Sequence, residues 1–236
     1  MDKVLRKELK TDELAVATEH GLEFVTDHKK DFARYGFIAV GVLVAAGLIW
    51  WYFQNQAQNR HLALANVLAI KEATIGPEPA NGAVRAYATE ADRDKALFAA
   101  IDKMRAEYGG SAEASMAEYY RGVTLGDKGD LAGARKSFEL AVSGGGQYAP
   151  LAKQSLAGLH AAEGRIADAE KLYRDLLASP TALVSKDQAT LDLARLIKGT
   201  RPEEARKLLE PLRGGRGAIA RNAIQILSES DLSKKK

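Results

Sequence analysis

The chain has 236 residues, 34 lysines and arginines against 31 aspartates and glutamates, and a formal net charge of +3. That balance gives no footprint of nucleic-acid binding, which needs basic residues concentrated on one face. With zero cysteines there is no disulfide, thiolate nucleophile or thiolate metal site, which suits an oxidising compartment such as a periplasm.

Residues 1–34 form a charged leader in which Val4, Leu5, Leu9, Leu14, Leu22, Phe24 and Val25 can in part share one helical face. A membrane-lying helix is usually rich in lysine and arginine, whereas this leader carries eight acidic residues against seven basic ones. A short cytoplasmic amphipathic helix docking a protein partner is favoured over one lying on the membrane. A solvated, partly disordered leader is the alternative.

Tyr35 to Phe53 reads YGFIAVGVLVAAGLIWWYF, an uncharged run that spans about 28 Å as a helix, close to the ~30 Å of a bilayer's hydrocarbon core. It begins too far into the chain for a signal peptide and has no small-residue cleavage site after it. It also lacks the polar stripe of a core helix. Tyr35 at one end and Trp50, Trp51 and Tyr52 at the other suit the two membrane interfaces, so residues 35–53 are expected to be a transmembrane helix. Lys29, Lys30 and Arg34 crowd the N-terminal flank, against Arg60 and Lys71 on the other, which puts the N-terminus in the cytoplasm. Gly36, Gly41 and Gly47 lack GxxxG spacing and give little support to tight helix pairing.

Gln54 to Ala73 is expected to continue this helix outward as a stalk, and Gly76-Pro77-Glu78-Pro79-Ala80-Asn81-Gly82 breaks the helical period, so residues 54–91 read as stalk and linker. Beyond them, KGDLAGARKSFELAV, EGRIADAEKLYRDLL and KGTRPEEARKLLEPL recur at about 35 residues. Matching positions are Gly129, Gly164 and Gly199; Ala134, Ala169 and Ala205; Phe138, Tyr173 and Leu209. A weaker copy sets Ala100 and Met104 34 residues ahead of Ala134 and Phe138. The glycine permits a left-handed turn between two helices, the alanine a close approach, and the large residue four positions on fills the space between them.

First helices are expected at Ala114–Leu125, Leu151–Ala162 and Ala189–Ile197, with Gly144-Gly145-Gly146 as an inter-repeat turn and Arg213–Gly217 as a break. Ala218–Leu227 is the expected capping helix of a repeat domain over 92–227, and 228–236 a frayed tail. The fold class is thus all-α.

The chemistry of an enzyme is not assembled. His20, His28, His61 and His160 do not pair at metal-ligand spacing, and His160 falls where a large packing residue is expected. Glu203 and Glu204 after Pro202 suit a helix first turn rather than an acid–base dyad. No catalytic, cofactor or metal residue is assigned. Projecting the repeat register puts Met116, Tyr119, Val123, Gln154, Ala161 and Thr190 on an inner groove able to take a peptide.

The repeat resembles the tetratricopeptide family, with Gly122 and Ala157 at the small first-helix position, Leu193 departing from it, and Pro150 and Pro180 near repeat boundaries. Tyr119 and Val123 stand where that family's carboxylate clamps carry lysine and asparagine. The layout of leader, aromatic-ended anchor (AVGVLVAAGLIWWYFQNQ), stalk and degenerate repeats resembles the ancillary subunit family of the bacterial Sec translocon. That resemblance implies an inner-membrane protein with periplasmic repeats that contact translocon subunits, unfolded secretory clients or chaperones. The alternatives are a scaffold for another envelope assembly and a regulator with its repeats in the cytoplasm.

Overall fold

A computed structural model describes residues 29–77 and 85–233, with side chains for 35–77 and 85–229. Residues 1–28 of the leader, the centre of the proline-containing linker and the last three lysines lie outside the described residues, while residues 29–34, expected as leader, open the first helix. The chain divides into two units, 1–58 and 59–236.

Helix α1 spans Lys29–Lys71. In the first unit its side chains from Tyr35 to Phe53 are exposed on every side, with Phe37 80%, Leu43 71% and Trp50 69% accessible. A core helix of this composition would be covered; this one has no protein against it among the described residues. It is long and apolar enough to cross a membrane.

Among its described residues the second unit is helical, with turns, apart from one short strand pair. After α1 come β1 (Thr74–Ile75), β2 (Ala86–Tyr87), α2 (Glu90–Tyr108), α3 (Ala112–Asp127), α4 (Leu131–Gly144), α5 (Ala149–Ala162), α6 (Ile166–Ala178), α7 (Lys186–Ile197), α8 (Pro202–Leu209) and α9 (Ala218–Ser233). A 3-10 turn, Glu210–Gly214, joins α8 to the break before α9. The strands pair in parallel, Thr74 with Ala86 and Ile75 with Tyr87, and close the loop between them. Two residues carry no readable period, so the sequence gives no sign of this pair.

Local capping sets several boundaries. Thr89, Ser111, Asp130 and Ser185 each accept a backbone N–H three residues on, at 2.9–3.1 Å, worth about 1 kcal/mol apiece. The turns into α4 and α6 repeat atom for atom. Gly129 (φ +80°) and Gly164 (φ +78°) are left-handed, Asp130 N–H bonds Leu125 O, and Arg165 N–H bonds His160 O. Each is a Schellman stop, for which a Cβ-free residue is the low-strain choice. The third turn differs. Gly199 is not left-handed, and with one more residue available Thr200 N–H and Arg201 N–H both reach Ile197 O before Pro202 opens α8.

From α2 onward each helix packs on the next, and three apolar clusters follow one another along the chain. Val67 and Ile70 of α1 join Leu97, Ile101, Met104 and Ala117; the expected stalk therefore ends as a packed helix, in one cluster with α2 and α3. Phe138 joins Ala134, Ala141, Ala152 and Leu156. The largest cluster gathers Tyr173, Leu176, Leu191, Leu193, Ile197, Leu209 and, from α9, Ala223 and Ile226. The tail expected to fray from Ser228 is helical to Ser233, because α9 runs on past its buried Leu227.

The alanine and large-residue positions take the packing roles their spacing implies. Ala134, Ala157 and Ala169 are fully buried and Ala205 is 2% exposed. Gly122 is dictated by Phe138, since a Cβ there would come within 2.6 Å of two of its ring carbons.

Candidate binding groove

Met116, Tyr119 and Val123 project from α3, and the structure surrounds Tyr119 with aromatics. The Tyr119 ring centroid lies 5.5 Å from Tyr120, 5.7 Å from Tyr148 and 5.9 Å from Phe138. Tyr120 and Tyr148 are 5.9 Å apart, and Lys71 Nζ sits 5.0 Å over the Tyr120 ring. These separations suit edge and offset aromatic contact and a cation–π contact. Tyr148 is held at the start of α5, where Pro150 opens the helix. Burial, with the hydrogen bond to Tyr148, pushes the Tyr120 hydroxyl up to about 12, and burial raises Tyr119 as well. Tyr119 and Tyr120 remain neutral hydroxyls at physiological pH.

Met116 lines an open cleft of about 290 Å³ beside this cluster, with Leu64, Glu113 and Gln147. Glu113 lies 3.5 Å from Arg60 Nε and 3.4 Å from His61 Nδ1, which joins the end of α1 to the first turn of α3. Val123 is half-buried against the Phe138 cluster and takes more of a packing role than a groove position implies.

The other end is polar. Ala161 lines a cleft of about 410 Å³ with Ile166, Tyr173, Asp192, Arg195 and Leu196. Asp192 is 9% exposed; it accepts from Gln154 Nε2 of α5 at 2.5 Å and from Gln188 Nε2 at 3.1 Å, and Arg195 stands 3.6 Å away. Gln154 thus holds a carboxylate in place rather than standing free. Tyr173 is pushed up to about 12 by burial and then by Asp192.

Thr190 does not reach the groove. It is 8% exposed and its hydroxyl donates to Lys186 O at 2.8 Å. Carrying the register of α5 onto α7 fails because α7 is enclosed by α6, α8 and α9, whereas the groove face of α5 stays partly open.

Projection from the repeat missed Leu64, Tyr120, Tyr148, Asp192 and Arg195. One signal was available: an aspartate inside the apolar run LDLARLI has to find partners if it is buried. His160 is buried at 5% exposure in the place Leu125 takes one repeat earlier.

The surface therefore offers aromatic faces, neutral tyrosine hydroxyls, one fixed carboxylate and one guanidinium. Among the described residues no three His, Asp or Glu gather as a metal site. Against protein-family models, curated proteins and solved structures, the chain gives no match.

Proposed function

We propose that this chain is a non-enzymatic, membrane-anchored adaptor whose helical hairpins form a tetratricopeptide-like solenoid that binds protein. The observation that carries the reading is the combination of an apolar helix exposed on every side with a hairpin array holding a tyrosine cluster, an open cleft at Met116 and a carboxylate-lined cleft. The turn geometry repeated 35 residues apart at Gly129 and Gly164 supports the solenoid. The anchor makes a single pass, with interface aromatics at Tyr35, Trp50, Trp51 and Tyr52, the N-terminus in the cytoplasm and the array in the periplasm of a bacterial inner membrane. The partner is the Sec translocon with its emerging unfolded clients or periplasmic chaperones.

A photoreactive residue at Met116, and a second at Ala161, tests the reading in intact cells, with mass spectrometry of the adducts and protease protection in parallel. Translocon subunits or secretory precursors crosslinked from an externally cleavable array are the expected result. Adducts with another envelope assembly would replace the partner, and adducts confined to cytoplasmic proteins would overturn topology and function together.

A further inference from the structure

A separate cleft, of about 190 Å³, opens where the C-terminal ends of α2 and α4 come together against α3. Leu140 and Ala114 give it apolar walls, Gly109, Gly110 and Gly144 a rim without side chains, and Glu118 and Arg105 a charged lining. None of these residues lines the groove.

Glu118 has a side chain 4% exposed. Its Oε1 accepts from Arg105 Nη1 at 3.2 Å, while Oε2 is buried without a hydrogen-bond partner. Arg105, which also lines the cleft, bonds Glu118 through Oε1. Arg105 also donates to Asp102 Oδ1 at 2.8 Å, and Arg121 donates to Asp102 Oδ1 at 2.7 Å and to Phe98 O at 2.8 Å. A buried carboxylate oxygen left without a donor is costly. Two helix C-termini at the same place add negative potential, which favours a cation.

We propose that this cleft binds a primary ammonium group carried on a short aliphatic stem, as in a lysine side chain or a small alkylamine. The ammonium donates to Glu118 Oε2, and the methylenes lie along Leu140 and Ala114. A divalent metal fits poorly, because Glu118 is the only carboxylate in the lining and such ions gather six or more oxygens.

The full-length protein in detergent micelles is titrated with n-butylammonium, with a peptide bearing one acetyl-capped internal lysine, and with n-butanol as the neutral isostere. Amide shifts of Gly109, Gly110 and Gly144 are followed by NMR. The expected result is saturable shifts with butylammonium, absent with butanol and about tenfold weaker or more in Glu118→Gln, whose remaining spectrum reports its fold. Arg105→Ala, which frees Oε1, is expected to bind the amine more tightly. Saturation by the lysine peptide assigns the ligand to a polypeptide, and saturation by the free amine alone assigns it to a small molecule. Equal shifts with butanol, undiminished binding in Glu118→Gln, or weaker binding in Arg105→Ala would overturn the proposal.

Discussion

Leu43 and Leu193 are the same residue in two helices, yet Leu43 of α1 is 71% exposed and Leu193 of α7 is fully buried. Around Leu43 the helix is apolar and exposed in every direction. Around Leu193 it is apolar with polar interruptions, Asp192 and Arg195, and packs against α6, α8 and α9. Apolar content thus does not decide burial by protein. A helix without a polar stripe belongs in a solvent that is apolar all round it, and a helix with one belongs in a core that leaves part of it free.

The same substitution at both leucines gives the largest expected contrast. Leu193→Ala should cost the array about 2–5 kcal/mol, whereas Leu43→Ala should leave it within about 0.5 kcal/mol, as read by urea unfolding followed through helical circular dichroism. Equal effects would break the comparison.

Leu43→Arg reverses the roles. A charge at the centre of a membrane span disfavours insertion by about 2.5–3.5 kcal/mol, so a larger share of the chain should be released by alkaline extraction of membranes, with the array's unfolding unchanged. Retention like that of the native chain would argue against a bilayer around α1.

Gly122→Ala sets a smaller test inside the array. The new methyl meets the Phe138 ring at 2.6 Å, an overpacking expected to cost about 1–3 kcal/mol. A neutral result would mean that Phe138 swings away freely.

The smallest effect is on acidity, and it too separates the regions, because no charged residue stands between Tyr35 and Phe53. Burial raises the Glu118 carboxyl against the pull of Arg121 and Arg105. The folded state therefore holds that proton more tightly, and the group's contribution is complete below its unfolded value near 4.5 and lost as pH rises through its folded one. Asp94 has the opposite sign. Burial raises it, but hydrogen bonds from Lys128 and Arg93 outweigh burial and hold it low, so its contribution is present above 3.8 and lost as pH falls through its folded value. Unfolding of Glu118→Gln and Asp94→Asn, followed from about pH 3 to pH 7, should give differences from the native chain with opposite pH slopes. Parallel slopes would refute the assignment.

Periodicity made the hairpins legible. Glycine, alanine and a large residue at fixed spacing marked both turns that the structure builds as Schellman stops, and the second helices that follow them. Where the spacing slipped by one residue, before Ala205, the glycine rule also failed, and Gly199 adopts another conformation. The groove was legible only in part. Met116 and Ala161 stand on open clefts and Tyr119 stands in an aromatic cluster, but Thr190 is covered and Gln154 is bound to Asp192.

By itself the sequence determined the apolar span, because nineteen residues without a charge cannot be reconciled with water, and it determined the turns, because left-handed backbone favours residues without a Cβ. Only the tertiary structure decided that α1 ends as a packed helix in one cluster with α2 and α3, that Tyr119, Tyr120 and Tyr148 meet, and that Glu118 keeps one oxygen without a donor. Each of these depends on residues distant in the chain or on separate helices, whose separations are fixed when the helices pack and leave no local period to read.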